Sequence, residues 1–553
     1  MKWWGWGDEG TSFSHDDKPK LAPFVRDRIG VDIDAPGQAP PSLDALDVPA
    51  SRAGGALRAA LAAAVGDGHV RGDDLDRVVH GYGKSLRDLV RVRSGDFGRL
   101  PDLVVYPGAE SEVEAVMAAV VAADAVLVPF GGGTNIAGSL EAPRDESRAV
   151  VSLDLARLDR VVEVDVDAGL AVVEAGALGP GLEDQLNARG WTLGHFPDSF
   201  NHSTLGGWIA TRSSGMQSDK YGDIADITRA VRVVTPAGVL ATTAVPSTST
   251  GPSVREMVLG SEGRLGVITA ATVQVHRLPE VRTIIGYFFP DWSSGLAAMR
   301  AIAAGDVAPS VTRVSDADET QFSLSTTRAG SVVSALKSAG VKQFLKRVKG
   351  FDLDRTCLSF VGFEGGADHV RRQRRSVGRI VSAHGGVAVG TGPGQLYDQK
   401  KFDTPYIRDF LLDRGGYADV SETSAPWSRL ESLHTEVRRA AGEAFDELGV
   451  QGFVMCHLSH SYHSGACLYF TFAFRPSATG RPPLDQYDRV KAAVQQAFVD
   501  NGATLSHHHA VGVEHARWLA DDISPAGVAM VRALFDGVDP DHRLNPGKIV
   551  GPG

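Results

Sequence analysis

Apolar residues fall into two registers along this chain. Consecutive apolar runs at Leu103-Val104-Val105-Tyr106 and Ala125-Val126-Leu127-Val128-Pro129-Phe130 predict short buried strands. Between them, Ser111-Glu112-Val113-Glu114 reads as a capping box that opens an Ala/Val-rich helix. Strand, helix and strand leading into Gly131-Gly132-Gly133 predict an α/β unit. Residues 151–155 and 170–174 read as further strands, a glycine-dense block spans 194–222, and strand-like segments continue to about residue 276. Past Pro279, alternating strand and helix patterns run to about residue 500. There Leu468, Phe470, Phe472 and Phe474 recur at every second position, which puts them on one core face of a strand. Residues 1–95 combine a Trp-rich start, a Pro-rich stretch at 35–42 and an Ala-rich helical pattern at 56–65. The predicted organisation is α+β: a helical region at 1–95, an α/β domain at 96–280, a second domain at 281–504 and a closing segment at 505–553.

At 553 residues the chain exceeds what one core can hold, and 43% hydrophobic content excludes a mainly disordered chain. Asp and Glu (67) outnumber Lys and Arg (56), and the net charge of −11 argues against a nucleic-acid partner. The three cysteines, Cys357, Cys456 and Cys467, form no CxxC pair. That disfavours a disulfide scaffold or a cysteine zinc site, and the cytoplasm is the expected location. The opening MKWWGWGDEG lacks the basic-then-apolar order of a secretory leader, and the closing IVGPG is no peroxisomal address. Residues 115–130 are broken by Asp124 and fall short of the about 20 residues a bilayer needs.

Candidate chemistry begins at the glycine loops. Gly131, Gly132 and Gly133 follow Pro129 and Phe130 and lead into Thr134 and Asn135. Glycines let backbone N–H groups approach a phosphate, and Thr134 and Asn135 add side-chain hydrogen bonds. This segment matches neither the P-loop nor the GxGxxG pattern. A second block carries Asp198, Ser203, Thr204, Gly206, Gly207, Thr211 and Ser214, and a third carries Glu262, Gly263, Gly266 and Ile268. Purely structural turns rarely concentrate this much Ser, Thr and Gly, so a long phosphate-bearing cofactor across a sheet is the expectation.

Four further features carry catalytic candidates. Tyr462 sits at a turn just before the Leu468–Phe474 alternation, where a rigid strand would hold its hydroxyl, although a turn tyrosine open to water is the competing reading. His507-His508-His509 form a triplet; in a strand only His507 and His509 would share a site. A metal reading would need another carboxylate or histidine converging on them, and no metal is expected; acid/base or hydrogen-bond work beside a cofactor needs fewer coincidences. Arg313 and Arg408 offer guanidinium groups for phosphate or carboxylate, with Arg408–Asp409 equally readable as an ordinary surface pair.

The segments PFGGGTN, STLGGWIATRSSG, YGDI, GSEGRLGVIT and LNPGKI resemble the FAD-binding domain and C-terminal signature of the vanillyl-alcohol oxidase/PCMH flavoprotein superfamily. That resemblance implies a PCMH-type two-subdomain FAD-binding domain, an α/β cap domain with an antiparallel sheet, and FAD across the three loops. Some members attach flavin to a histidine beside the first loop. Thr134 stands after the glycines here, so non-covalent FAD is expected. MKWWGWG, PYIRDFLLDRGGYADVSETSAPW, SYHSGACLYF and LSHHHAVG resemble, in order and over most of the chain, the alkyldihydroxyacetonephosphate synthase family. On that resemblance the acid/base tyrosine falls on Tyr462, the histidine cluster on His507, His508 and His509, and the active-site arginines on Arg313 and Arg408. His463 and Ser464 depart from the acidic residue and Ala expected after the tyrosine.

The family implies a redox-neutral exchange of the acyl group of acyl-dihydroxyacetone phosphate for a long-chain alcohol, with the three-carbon fragment held as an adduct on flavin N5. It also implies an apolar tunnel, a membrane-facing entrance and a homodimer. The arginines within 370–380 would meet anionic lipid at the inner membrane surface, or simply form a solvated basic face. An FAD-dependent 2-hydroxyacid dehydrogenase or oxidase on the same fold is the alternative.

Overall fold

The computed structural model describes residues 2–327, 345–347, 349–392, 394, 402, 404–478 and 480–551. Its architecture is α+β. A four-stranded sheet runs in the order Val70–Arg71, Leu103–Val105, Val150–Asp154 and Val126–Phe130, the last three parallel. A five-stranded antiparallel sheet runs in the order Val161–Asp165, Leu170–Glu174, Val267–Gln274, Thr228–Thr235 and Gly238–Ala241. One apolar core, including Leu127, Val151, Val173, Ile209 and Val267, joins these two sheets into a single glycine-loop domain. Strands Leu103–Val105 and Val150–Asp154 are buried at every position because both faces are covered.

Helix Glu110–Ala122 connects two of those strands and starts two residues earlier than the capping-box pattern indicates. Ala109 is its N-cap and Ser111 lies inside the first turn. Glu112 instead accepts from the Gly108 N–H at 2.6 Å, so the carboxylate serves the turn before the helix.

The cap is a seven-stranded antiparallel sheet ordered Val387–Gly390, Val281–Phe289, Cys357–Gly365, Val311–Ser315, Gly452–Ser461, Gly465–Phe474 and Tyr417–Pro426. Leu468, Phe470, Phe472 and Phe474 are fully buried on one face, as their alternation predicts. Their core includes Met299, Val377, Val437 and Val494, from helices Trp292–Ala303, Ala367–Ala383, Leu430–Leu448 and Pro483–Asp500. Tyr469, Thr471 and Ala473, on the other face, turn toward the glycine-loop domain.

Three chain segments tie the structure together. Residues Gln217–Asp223 latch the first domain to the cap: Tyr221 donates to Glu364 at 2.7 Å, and the Ser461 N–H donates to Asp219 at 2.9 Å. The C-terminal segment returns to the first sheet, where Leu127 donates to Arg543 O at 2.8 Å and Asn545 donates to Leu127 O at 2.9 Å. At the other end, the Trp6 N–H donates to Asp409 at 2.5 Å, and Lys84 donates to Lys2 O at 2.7 Å. Gly7 has φ +72°, which favours glycine, and a Cβ at Gly5 or Gly7 would displace the Asp409 carboxylate or the Tyr406 hydroxyl.

Candidate active site

A cavity of about 1230 Å³ lies between the glycine-loop domain and the open face of the cap sheet. All seventeen residues singled out for cofactor binding line it: Pro129, Gly131 to Asn135, Asp198, Ser203, Thr204, Gly206, Gly207, Thr211, Ser214, Glu262, Gly263, Gly266 and Ile268. The first two loops pack backbone to backbone. A Cβ on Gly131 would lie 2.3 Å from Thr204 Oγ1, and one on Gly132 only 1.7 Å from His202 O. Gly133 has φ +65°, which favours glycine. Thr204 caps helix Leu205–Thr211 by accepting from the Gly207 N–H at 3.2 Å.

Glu262 does a different job from the loop residues around it. Its carboxylate accepts from the N–H groups of Val511 and Gly512 at 2.9 and 3.0 Å and from Ser139 Oγ at 2.5 Å. It staples the C-terminal segment to the loop domain.

One group of cavity-lining side chains is apolar. Phe24, Val25 and Ile29 of helix Leu21–Ile29 belong to it together with Leu411, Phe453 and Met455 of the cap, although Arg28 of the same helix also lines the cavity. This wall of the cavity comes from the N-terminal region.

Arg313 and Arg408 also line the cavity. Arg313 donates to Glu319 at 2.5 Å and approaches His457 Nδ1 at 3.1 Å. Burial opposes ionisation of Glu319, but His457 and Arg313 win and hold it at about 2. Arg408 is no surface pair: its side chain and that of Asp409 are each 12% exposed, 3.7 Å apart. Arg408 donates to Lys84 O, while its Nε and Nη2 are buried without a hydrogen-bond partner among the described residues, Nη2 lying 3.7 Å from Asp409. Buried donors in that state call for an anionic ligand oxygen.

Tyr462 occupies the turn between strands Gly452–Ser461 and Gly465–Phe474, its N–H donating to Gly465 O at 2.8 Å. Its hydroxyl is not open to water. It donates to Asp223 Oδ2 at 2.7 Å and meets His507 Nε2 at 2.6 Å. Tyr462 and His507 are not among the residues that line the cavity, whereas His508 and His509 are. The hydrogen bonding of Tyr462 therefore owes nothing to His463 and Ser464, which are exposed.

The histidine triplet is not a strand. Its three N–H groups turn onto one buried acceptor, Glu422, at 2.8 to 3.0 Å. The expected pairing of His507 with His509 is thereby replaced: His508 and His509 share the cavity, and His507 faces the tyrosine. His507 Nδ1 and His508 Nδ1 are 2.9 Å apart, and His460 stacks on His507 at 5.4 Å. Burial opposes the charge on Glu422, yet the histidines and their backbone N–H groups hold it well below the carboxylate range. Burial pushes His508 down to about 3 and His509 to about 4, so both rings are neutral near pH 7.

Asp223 is also kept ionised: burial opposes this, but His507, His460 and the Tyr462 hydroxyl hold it at about 2. An ionised carboxylate only accepts, so the tautomers follow. Tyr462 donates to Asp223, His507 donates from Nε2 to Tyr462, and His508 Nδ1, 3.4 Å from the ionised Glu422 and 2.9 Å from His507 Nδ1, carries the proton of its neutral ring. His508 Nε2 is left as a bare acceptor.

Glu422, Cys467, His507 and His508 bring four potential metal-ligand atoms within 4.8 Å. This convergence was invisible in the sequence. Glu422 is already saturated by N–H and O–H donors, and burial pushes the Cys467 thiol well above its usual range. The cluster works as a hydrogen-bond scaffold.

Glu422, Asp223, His460 and His457 were not singled out by sequence reasoning as functional. Asp223 lies in the YGDI segment and Glu422 in VSETSAP; an acid amid an otherwise apolar or hydroxylated strand was the available signal for the latter.

Fold and site together define a two-domain FAD-linked oxidase-type flavoprotein. Residues 101–244 match the family described as FAD binding domain, and residues 278–549 match FAD linked oxidases, C-terminal domain. The structure of p-cresol methylhydroxylase with substrate bound superimposes with a TM-score of 0.64 at 15% identity, covering 90% of this chain and 96% of that one, which places the fold. The chain belongs more narrowly to the alkyldihydroxyacetonephosphate synthase family. It is 39% identical to the Dictyostelium discoideum alkyldihydroxyacetonephosphate synthase over 481 residues, 87% of this chain and 78% of that protein. A solved alkyldihydroxyacetonephosphate synthase matches with a TM-score of 0.86 at 33% identity, covering 99% of this chain and 98% of that one.

FAD is the cofactor, and the residues present fit it. Gly131 and Gly132 admit no side chain, and Asn545 Oδ1, in the cavity lining, is buried without a hydrogen-bond partner among the described residues. The cavity exceeds the about 300–1,000 Å³ of a usual small-molecule site, which leaves room for a substrate chain beside the cofactor.

Proposed function

We propose that this enzyme exchanges the fatty acyl group of acyl-dihydroxyacetone phosphate for a long-chain alcohol, giving the alkyl ether and a free fatty acid without net oxidation. The observation that carries the reading is one cavity joining a flavin cradle, two arginines and an apolar wall, in a chain of the alkyldihydroxyacetonephosphate synthase family. Bound FAD supplies an electrophilic ring centre. Its attachment is non-covalent, because the cavity-lining histidines, among the described residues, come from the cap and C-terminal segment and not from the glycine loops.

Arg408 binds a substrate oxyanion through its unpaired donors, and Arg313 flanks it. The apolar wall built on helix Leu21–Ile29 takes the acyl or alkyl chain. His508 Nε2 removes a proton from the carbon beside the ketone. His507 and Tyr462 form the path along which that proton is shared, with Asp223 fixing the tyrosine. His508 is neutral near pH 7, so Nε2 can accept that proton, and its Nδ1 contact with His507 shares the charge gained. The fatty acid leaves first and the alcohol enters afterwards.

Helix Ala367–Ala383 exposes Arg371, Arg372, Arg374, Arg375 and Arg379, and it is the surface we assign to anionic membrane. We also place the enzyme in the cytoplasm, as a homodimer; vesicle co-sedimentation and light scattering test these two assignments. The reaction is tested by incubating the flavin-loaded enzyme with acyl-dihydroxyacetone phosphate and labelled hexadecanol. Label must appear in an ether product, and D-lactate must not reduce an acceptor dye. Dye reduction without ether product would instead establish a 2-hydroxyacid dehydrogenase.

A further inference from the structure

A second recess, of about 500 Å³, lies on the cap between helix Ala367–Ala383 and strands Val281–Phe289 and Val387–Gly390. Ile285, Val381 and Ala388 give it an apolar lining. Its polar side chains are those of Tyr287, Arg371, Arg374, Arg375, Ser382 and Thr391, and no carboxylate is among the lining residues. Arg371, Arg374, Arg375, Gly378 and Ser382 follow the helical repeat, so one face of the helix supplies them. Gly378 keeps the recess open, since a Cβ there would meet nothing within 4 Å.

Tyr287 separates this recess from an ordinary solvated basic face. It sits in the cap core with Ile285 and Phe289 and is only 2% exposed. Its hydroxyl nevertheless has no hydrogen-bond partner among the described residues. Burial pushes that hydroxyl up to about 12, against the opposing pull of Arg374, so it keeps its proton and remains a donor. Arg374 and Arg375 also lack an ion pair or hydrogen bond among the described residues, and Arg371 is paired only within its own helix, with Asp368 at 2.7 Å. A buried donor beneath unpaired guanidinium groups calls for a ligand with several anionic oxygens.

We propose that this recess binds a phosphomonoester, whose terminal oxygens accept from the Tyr287 hydroxyl inside and from Arg374 and Arg375 at the rim. Such a group carries about −1.5 to −2 charge at pH 7 and three strong acceptor oxygens, more than a carboxylate offers. A lipid headgroup and a soluble phosphate ester present the same three oxygens. The site makes a discrete pocket of part of the helix assigned above to anionic membrane, and it needs nothing from the exchange reaction.

Two measurements on the flavin-loaded enzyme tell the sources apart: calorimetric titration with glycerol 3-phosphate, and sedimentation with vesicles of phosphatidic acid or, at equal surface charge, phosphatidylglycerol. Gly378→Leu fills the recess while keeping every arginine, and replacing a glycine inside a helix favours the fold. Wild type should bind one equivalent of glycerol 3-phosphate that Gly378→Leu does not, beyond what the active-site cavity takes. Tyr287→Phe should weaken that binding by roughly 10-fold, the worth of a hydrogen bond to a charged group. A preference for phosphatidic acid that Gly378→Leu loses identifies a lipid headgroup; soluble binding without that preference identifies a soluble ester. Equal binding by wild type and Gly378→Leu in both assays overturns the proposal. So does an effect of Arg372→Gln, on the same helix outside the recess, as large as that of Arg374→Gln, because diffuse charge then explains the binding. Should Gly378→Leu lose its flavin, Tyr287→Phe decides alone, and unchanged binding of both ligands overturns the site. Vesicle binding that survives Gly378→Leu without headgroup preference removes this site and leaves the membrane assignment standing.

Discussion

The glycine-loop face and the histidine face of the cavity are built on opposite plans. The first is made of three contiguous segments, each of which carries its own geometry: glycines where two backbones touch, and a threonine at a helix start. The second is assembled from single residues far apart in the chain, Asp223, Glu422, Tyr462 and His507 to His509, and its order comes from one buried carboxylate. A site of the first kind tolerates no added atom; a site of the second kind tolerates shape changes but no lost charge or hydrogen bond.

That contrast can be broken in several ways. The largest effect is expected for Gly132→Ala, whose Cβ would sit 1.7 Å from His202 O. Purified protein should carry no flavin absorbance. Tyr462→Phe should leave the flavin spectrum and melting temperature intact while turnover falls by about 10²–10⁴, the usual worth of an acid/base group. Glu422→Gln keeps the shape but removes the charge that gathers three N–H groups. Under-satisfied buried donors cost about 1–3 kcal/mol, so a lower melting temperature should accompany reduced turnover.

Acid sensitivity sharpens the same point. Asp223 and Glu319 are held at about 2, below their ordinary values near 4. The stability they contribute is complete above the ordinary value and is lost as pH falls toward 2. Melting temperature followed from pH 6 to pH 2 should drop over the lower part of that range, and less so in Asp223→Asn. The smallest effect is expected at His463, which is exposed beside the tyrosine. His463→Ala should change stability by no more than about 0.5 kcal/mol and leave turnover alone.

Legibility in the sequence follows the two plans. The α+β class, the core face of Leu468 to Phe474 and the loop residues could be read because each depends on spacing within a short segment. The histidine cluster was legible in its members but not its arrangement. Strand geometry pairs His507 with His509, whereas the backbone instead bends around Glu422, some 85 residues earlier in the chain. Nothing local marks Glu422 as that acceptor. The start of helix Glu110–Ala122 shows the same limit at smaller scale: Ser111 and Glu114 fit a capping pattern, but Glu112 finds a better donor in Gly108.

The exchange proposed above requires the acyl group to depart before the alcohol arrives. Flavin-loaded enzyme mixed anaerobically with acyl-dihydroxyacetone phosphate and no alcohol, then quenched, tests it directly. The account predicts a burst of free fatty acid close to one equivalent per flavin, with ether product only after hexadecanol is added. No fatty acid until the alcohol is present would contradict it.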